Sequence, residues 1–239
     1  MCVELNALGS DRFGIVAARV TDPSAPLAEI DTLALALGVE MLTARISTGD
    51  LARVQELEAN GFRLMDTLVW YQRDLDDIPA PKVVPGETIR EAKPDDAEVI
   101  GRVAEAGFRG YFGHYHSDPR LSDEAADAAY VDWALRSARA AGPDAPVLLV
   151  EADGEAAGFL TFVLKAENIG ELVLSAIRPD LQGGGLYGRI IDHGLALLKQ
   201  RGCRAAQVST QINNVAVQRA WARRGFRMAW SVYTFHKWM

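Results

Sequence analysis

Cysteine is scarce in this chain, because its 239 residues include only Cys2 and Cys203. The two lie far apart, and no histidines accompany them at the spacing of zinc ligands. This pattern favours two reduced thiols over a disulfide framework or a zinc site, and we expect no bound metal.

Positive charge is also in short supply, because 25 lysines and arginines stand against 32 aspartates and glutamates and leave a net charge of −7. Beyond the pair Arg223 and Arg224, no stretch combines basic and aromatic residues as nucleic-acid-binding surfaces do. Nucleic acid is therefore excluded as a partner.

Long hydrophobic runs are missing too. No run reaches the roughly 20 apolar residues of a transmembrane helix. The segment Met1 to Ser10 contains Glu4 and lacks the basic start and apolar stretch of a secretory signal. We therefore expect a cytoplasmic chain with no membrane partner. What is present, 49% hydrophobic and 24% charged residues, is typical of a globular protein with a sizeable core.

Hydrophobic periodicity stops between Asp74 and Glu87, where the sequence DLDDIPAPKVVPGE brings together three prolines and several acidic residues. Such a composition is typical of a linker. We therefore predict two domains, a smaller N-terminal α/β domain over residues 1–80 and a larger domain over residues 86–239.

The spacing of apolar residues predicts mixed α and β structure in both domains. The elements predicted in the first domain are a helix, a strand, a helix and a strand, at Leu27–Leu37, Met41–Ser47, Asp50–Ala59 and Leu64–Arg73. In the second domain the predicted order is β α α β β β α β α β, with Asp153-Gly154 as the turn of a hairpin. The fold class is therefore α/β (α+β).

The end of the first domain is similar to the end of the second, because Gly61-Phe62-Arg63 matches Gly225-Phe226-Arg227. In both places a strand and a helix come first and a strand follows. Two interpretations stay open, a coincidence of three residues and a degenerate internal repeat in which the first domain is a worn half-copy.

The segment from Arg178 to Gly185 lies between a predicted strand and a predicted helix and contains three consecutive glycines. Successive backbone N–H groups and the positive end of a helix can bind a diphosphate at such a place, and glycines allow its close approach. Taken alone, such a loop is more often a simple chain reversal.

Two patterns together resemble the signatures of the GCN5-related N-acetyltransferase (GNAT) family. The signature Q/R-x-x-G-x-G/A, between the family's fourth strand and third helix, is present as Gln182-Gly-Gly-Gly-Leu-Tyr187. An Asn-led helix ending in a Tyr-x-x-x-Gly-Phe-like pattern is present from Asn214 through Trp221 to Gly225-Phe226. The resemblance runs from Glu87 onward. It implies a GNAT fold, in which helices flank a mixed, mostly antiparallel central sheet, preceded here by a degenerate half-GNAT-like domain.

The resemblance also implies acetyl-CoA as the acyl donor and a set of residues that bind it. The strand Leu172–Ile177 would splay from Gln207–Thr210 and receive the pantetheine arm, with an oxyanion-binding N–H between Leu174 and Ala176. The implied donor-binding residues are Leu174, Ser175, Ala176, Ile177, Gln182, Gly183, Gly184, Gly185, Leu186, Tyr187, Gly188 and Asn214.

Two residues depart from the family pattern. Tyr187 replaces the small residue that closes the first signature, so its ring must fit beside the diphosphate or turn outward. Trp221 replaces the tyrosine that protonates the departing thiolate in many members. Because an indole N–H donates a hydrogen bond but does not titrate usefully, Trp221 stabilises the thiolate at best. Tyr233, Tyr187 or a water chain could supply the proton instead.

The segment Phe108–Pro119 is rich in aromatic rings and histidines and lies where the family has its acceptor-binding insertion. One interpretation is a partly buried aromatic plug. The other makes His114 or His116 the general base, with Glu171 as the rival base. In that interpretation the residues expected to contact the acceptor are Tyr111, Phe112, Tyr115, Tyr130 and Trp133.

Within the superfamily the chain looks most like the dTDP-fucosamine N-acetyltransferases. This narrower resemblance implies a nucleotide-linked amino sugar as the acceptor. The alternatives are an acetyltransferase for protein N-termini or small amine metabolites, and a non-catalytic acyl-CoA-binding module. A homodimer is one assembly that such a chain could form.

Overall fold

The computed structural model describes all residues from 1 to 239 and contains ten strands and seven α-helices. In chain order they are β1 Val3–Leu5, α1 Ala7–Phe13, β2 Ala17–Val20, α2 Leu27–Ala36, β3 Met41–Ser47, α3 Leu51–Ala59, β4 Arg63–Asp74, β5 Glu87–Glu91, α4 Ala97–Phe108, α5 Asp123–Arg139, β6 Val147–Ala152, β7 Glu155–Lys165, β8 Ile169–Ile177, α6 Leu186–Gln200, β9 Ala205–Gln211, α7 Val215–Ala222 and β10 Arg227–Trp238. No helix combines the length and the apolar character that a membrane span requires.

The predicted order of elements from β5 to the end of the chain is confirmed. The four elements predicted between residues 27 and 74 are also present, and Asp50 accepts a hydrogen bond from the Arg53 N–H, as expected of a helix cap. The first three elements, β1, α1 and β2, were not predicted. The fold class is confirmed, because parallel and antiparallel pairs occur together and antiparallel pairs predominate.

Contacts between residues divide the chain into two compact units, each built from separate segments. Unit 1 comprises residues 1–69, 112–126 and 230–239, and unit 2 comprises residues 70–111 and 127–229. The sequence-based division into residues 1–80 and 86–239 follows the order of the chain and stays a prediction.

Unit 1 is organised around the strands β1, β2 and β3 and the final part of β10. In the sheet, β1 pairs with β2 in antiparallel fashion, β2 pairs with β3 in parallel fashion, and β3 pairs with residues 232–238 of β10. The helices α2 and α3 contribute Ile30 and Leu57 to a core that also contains Leu42 and Phe235. These side chains are at most 1% exposed, so this unit has a hydrophobic core of its own.

Unit 2 contains residues 70–74 of β4 and, following these in the order of the sheet, β9, β8, β7, β6 and β5, with helices on both faces. On β6, Leu148 and Val150 join a core formed with α6 and α7, whereas Val147 and Leu149 join a core formed with α4 and α5. Because successive strand residues point to opposite faces, one apolar run serves both cores. The loop between β8 and α6, with the glycine-rich segment, lies in this unit.

The two matching Gly-Phe pairs end their helices in the same way. Gly61 and Gly225 have φ values of 82° and 77°, which place both in the left-handed region that favours glycine. In each pair the phenylalanine N–H donates to the carbonyl five residues earlier, Phe62 to Leu57 at 3.0 Å and Phe226 to Trp221 at 3.1 Å. The strand–helix–strand order and this shared helix end are consistent with a degenerate repeat, which stays a prediction.

Candidate functional site

The strands β8 and β9 are paired along only part of their length. They pair in parallel from Ile169 with Ala205 to Leu172 with Val208, and the pairing stops there although β8 continues to Ile177. The expected splay of these two strands is therefore present. It leaves the second half of β8 with one edge that is not used by β9.

Backbone directions on β8 decide which N–H groups face that open edge. The Leu174 N–H donates to Thr161 Oγ1 at 3.0 Å, and the Arg178 N–H donates to the Ala157 carbonyl at 2.9 Å, both on the β7 side. Because N–H directions alternate along a strand, the Ala176 N–H also faces β7 and the Ser175 N–H faces the open edge. Within the expected range from Leu174 to Ala176, the Ser175 N–H is therefore the one that faces the open edge. Its role in binding the oxyanion stays a prediction.

The glycine-rich loop has the geometry of an anion-binding site. Gly183 and Gly185 have φ values of 85° and 80°, so glycine is needed at both. Gly185 is the N-cap of α6 and has no side chain to accept a hydrogen bond from the first helical turn, whose N–H groups include those of Leu186 and Tyr187. The loop is further held by Gln182, whose amide donates to the Ile177 carbonyl at 3.2 Å. N–H groups without a helical partner at a helix start fit a diphosphate.

Gly188 leaves room for a neighbouring side chain. A Cβ atom there would clash with the guanidinium of Arg224, which would have to shift. Arg224 donates from Nε to the Gly188 carbonyl at 2.8 Å and pairs with Asp192 at 2.9 Å. This glycine therefore allows Arg224 to reach the first turn of α6, and the structure gives it a packing role at the position where the sequence predicted donor binding.

The side chain of Tyr187 is half-buried and packs against the core of unit 2, so its ring is not turned outward. A ring beside the diphosphate stays a prediction. The Tyr187 hydroxyl oxygen accepts a hydrogen bond from Nε1 of Trp221 at 3.0 Å and lies 3.5 Å from Oγ of Ser175. Trp221 itself is only 2% exposed and packs edge-on against Tyr71, with ring centroids 5.6 Å apart. The two residues that depart from the family pattern are thus direct partners.

The first part of the aromatic segment packs within unit 2. Phe108 stacks on Tyr130 with centroids 4.9 Å apart, and Tyr111 meets Tyr130 edge-on at 5.0 Å. The Tyr111 hydroxyl also forms a short hydrogen bond with Gln211 at the end of β9. Two of the predicted acceptor contacts therefore belong to a packed aromatic cluster beside the end of this strand, as the plug interpretation expected.

The second part of the segment forms a buried chain of hydrogen bonds in unit 1. Nδ1 of His114 lies 2.9 Å from Nε2 of His236, and Nδ1 of His236 lies 2.9 Å from Asp118. The Asp118 carboxylate also accepts from Trp238 Nε1 at 2.9 Å and from the Arg120 N–H at 3.1 Å. Burial is the largest effect on both imidazoles and lowers the pKa of His114 and of His236, so both rings are neutral at physiological pH.

The direction of these hydrogen bonds fixes where His114 keeps its lone pair. A neutral His236 must donate its Nδ1–H to the Asp118 carboxylate, so its Nε2 accepts the Nδ1–H of His114. Nε2 of His114 then carries no hydrogen. In His116, by contrast, Nδ1 accepts the Gly113 N–H at 3.2 Å, so a neutral ring carries its hydrogen on Nε2.

The remaining predicted residues lie in varied settings. Glu171 on β8 forms an ion pair with Lys165. Tyr233 packs against the core of unit 1, and Tyr115 packs on Phe13 with centroids 5.0 Å apart. Asn214 is the N-cap of α7 but donates to Thr210 Oγ1 at 3.0 Å instead of capping the helix with its side chain. Two predicted acceptor contacts are exposed, at 55% for Phe112 and 40% for Trp133.

Comparison with known proteins decides the family. The model of the acetyltransferase (GNAT) family matches residues 108–226, which include the splayed strand, the glycine-rich loop and α7. The chain belongs to the GNAT acetyltransferase family. The solved structure of a GCN5-related N-acetyltransferase from Sphaerobacter thermophilus has the same fold, with a TM-score of 0.69 over 99% of this chain and 76% of that one at 16% identity.

Two curated proteins are similar in sequence to this GNAT chain. Mycothiol acetyltransferase of Streptomyces coelicolor is 32% identical over 153 residues, which are 63% of this chain and 46% of that protein. Spore coat polysaccharide biosynthesis protein SpsD of Bacillus subtilis is 26% identical over 146 residues, which are 61% of this chain and 49% of that protein. The chain thus spans about half the length of these relatives.

Family membership supports the expected enzyme class, an N-acetyltransferase, and the expected acyl donor, because GNAT acetyltransferases use acetyl-CoA. For this chain, which spans about half the length of its curated relatives, both belong to the proposed function. The chain's own features fit this donor. The uncapped first turn of α6 can accept the diphosphate, and the open edge of β8 can accept the pantetheine arm. The narrower resemblance to dTDP-fucosamine N-acetyltransferases stays a prediction.

Three contributors to these arrangements were missed from the sequence. Asp118 follows His114 by four residues, but His236 is 122 residues away from His114, and no local pattern links them. In the sequence Thr161 looks like any other strand residue. Its hydroxyl accepts from the Leu174 N–H because the register of β7 and β8 is irregular at this point. Only Asp118, an acidic residue within the histidine-rich segment, carried a signal that could have identified it.

Proposed function

We propose that this protein transfers an acetyl group from acetyl-CoA to a primary amine of a small molecule, and that the amine belongs to a nucleotide-linked amino sugar. The observation that carries the proposal is the open edge of β8 followed directly by the uncapped, glycine-rich start of α6. A thioester arm and a diphosphate need these two features in this order.

Each part of the reaction has a proposed residue. The N–H groups from Gly183 to Gly188 hold the diphosphate, and the Ser175 N–H donates to the carbonyl oxygen as negative charge develops on it. Acetyl-CoA supplies the thioester that the amine attacks. His114, His116 and Glu171 are the proposed candidates for the base that receives the proton lost by the amine. In His114 the bond of Nδ1 to His236 leaves Nε2 without a hydrogen.

The amino-sugar acceptor is supported by chemistry and by one relative. Aromatic rings at Phe112 and Trp133 are exposed and can stack on a sugar or base face. The relative SpsD is named for polysaccharide biosynthesis. A second candidate, a small amine metabolite, is favoured by the relatives named as mycothiol acetyltransferases.

The test is a turnover assay in which thiol release from acetyl-CoA is followed with a panel of nucleotide amino sugars, free amino sugars, small amines and N-terminal peptides. We expect the nucleotide amino sugars to react fastest. Turnover with a peptide or a metabolite alone would move the proposal to that class. If calorimetry shows that CoA binds but no amine is acetylated, the protein is a non-catalytic acyl-CoA-binding module.

The base is tested by His114→Ala, with His116→Ala and Glu171→Gln in parallel. We expect His114→Ala to lower kcat by roughly tenfold or more and to remove the acidic limb of the pH profile. A rate that falls only in Glu171→Gln would assign the base to the strand β8 instead.

A further inference from the structure

The hydroxyl of Tyr187 occupies a defined place between α6, α7 and the open half of β8. It lies 3.0 Å from Nε1 of Trp221 and 3.5 Å from Oγ of Ser175, the residue whose N–H faces the open edge of the strand. Tyr187 follows the glycine-rich loop directly, in the first turn of α6. This hydroxyl is therefore close to Ser175, whose backbone N–H is proposed to bind the thioester carbonyl oxygen.

The direction of the Trp221 hydrogen bond determines what Tyr187 can do with its own proton. An indole N–H is a donor only, so the Tyr187 oxygen must be the acceptor and its O–H hydrogen is left to point elsewhere. Burial is the largest effect on the phenol and raises the pKa of Tyr187, so the hydroxyl keeps its hydrogen at physiological pH. A donor N–H at the oxygen also favours the phenolate after the proton has left.

We propose that Tyr187 is the acid that protonates the leaving thiolate, with Trp221 as its positioning residue. The inference rests on the proposed function. As the amine nitrogen bonds to the carbonyl carbon, the C–S bond breaks and its electron pair goes to sulfur. Tyr187 gives its O–H proton to that sulfur to form the CoA thiol, and Trp221 Nε1–H stabilises the phenolate. The phenolate regains a proton from solvent, and the proton lost by the amine leaves through its base.

This assignment accounts for both departures from the family signature at once. Trp221 stands at the family's tyrosine position, has no hydroxyl, and donates its indole N–H to the Tyr187 oxygen. Tyr187 stands at the family's small-residue position and supplies the hydroxyl that Trp221 lacks. The hydroxyl next to Ser175 therefore comes from α6, whereas in relatives with the tyrosine it would come from the helix that corresponds to α7.

The first test is Tyr187→Phe, which removes the oxygen and keeps the ring. We expect kcat to fall by about 100-fold while the Kd for CoA measured by calorimetry changes less than threefold. Tyr71→Phe is the matched control, because it removes a hydroxyl whose bond is to Gln218 at 3.2 Å and keeps a ring in the same core. It should leave kcat within threefold of the unaltered protein.

The second test needs no turnover. Phenolate formation is followed by ultraviolet absorbance during an alkaline titration of the protein without ligand. Tyr187→Phe should remove one tyrosine that titrates above the ordinary phenol pKa, and Trp221→Phe should move that titration to still higher pH because the phenolate loses its donor. A further variant for the turnover assay combines Tyr187→Phe with Trp221→Tyr, which places a tyrosine hydroxyl on α7 instead of α6. Its kcat should be at least tenfold higher than that of Tyr187→Phe alone.

The outcomes separate this inference from the proposed function. If the unaltered protein acetylates no amine, the proposed function fails. If the unaltered protein turns over and Tyr187→Phe keeps kcat within threefold, only the assignment of Tyr187 is overturned. A loss of CoA affinity equal to the loss of kcat, or a Trp221→Phe titration that does not move, would also overturn it and leave Tyr187 as a packing residue of the loop.

Discussion

At the scale of single residues, the neutral imidazoles of His114 and His236 link the stability of unit 1 to pH. In the unfolded chain each would take up a proton near its ordinary pKa of about 6.5. In the folded chain burial lowers the pKa of both, and the groups that face them are Asp118, Arg45, Asp66 and His116. The unfolded state therefore binds more protons below about pH 6.5, and stability falls as pH falls through this window.

We predict that the free energy of unfolding, measured by urea denaturation, drops between about pH 7.5 and about pH 5.5. Each imidazole that stays neutral contributes a slope of up to about 1.4 kcal/mol per pH unit. The double variant His114→Gln with His236→Asn should flatten this dependence. His193→Gln is the control, because its ring lies outside the buried chain. An equally steep dependence in the double variant would mean that other groups cause it.

At the scale of elements, the ends of α3 and α7 depend on glycine for a conformational reason. Gly61 and Gly225 both have positive φ values, and a Cβ at Gly61 would meet nothing within 4 Å. We predict that Gly61→Ala and Gly225→Ala each lower the free energy of unfolding by about 1–2 kcal/mol through backbone strain alone. Thermal and urea unfolding of the two variants provide the measurement.

The comparison variant is Gly49→Ala, because a Cβ at this position would have only ordinary contact, 3.7 Å from Ser47 Oγ, and no positive φ to oppose it. It should be neutral or slightly stabilising. If Gly61→Ala were equally harmless, the left-handed geometry at this helix end would not be obligatory, and the likeness of the two helix ends would lose its significance.

The sequence predicted these elements well where an apolar pattern is long and poorly where it is short. The strand β3 was predicted at its observed bounds, because alternate residues of Met41–Ser47 face the core. The strands β1 and β2 have only three and four residues, too few for a period to be recognised. The β8–β9 splay and the loop were anticipated through the family signatures rather than through periodicity.

Side-chain direction could not be predicted in the same way. Tyr187 was known to adjoin the loop, but whether it faces a ligand or the core depends on the phase of α6 and on the space that Trp221 leaves. His236 escaped notice because a single histidine in a β-strand carries no sign of its partner. Both were settled only by long-range packing, which a local pattern does not contain.

At the scale of the whole molecule, binding of CoA should stabilise the folded chain through the loop at the start of α6. A ligand that binds only the folded state adds about 2.7 kcal/mol at a concentration 100 times its Kd. Gly185 leaves the helix without a side-chain cap, and an aspartate tolerates positive φ better than most residues. Gly185→Asp would therefore place a carboxylate where the phosphates need the N–H groups.

We predict that saturating CoA raises the Tm of the unaltered protein and that Gly185→Asp loses this rise. The unliganded Tm of Gly185→Asp should itself fall, because a side chain at positive φ is strained. The control is Gly202→Asp, the same change of charge at another glycine with positive φ, 82°, just beyond the end of α6. It lowers the unliganded Tm, because a negative charge is unfavourable at the negative end of a helix, but it should keep the CoA-induced rise. An undiminished rise in Gly185→Asp would mean that the phosphates bind elsewhere, and the enzyme would then have to hold its acyl donor without the start of α6.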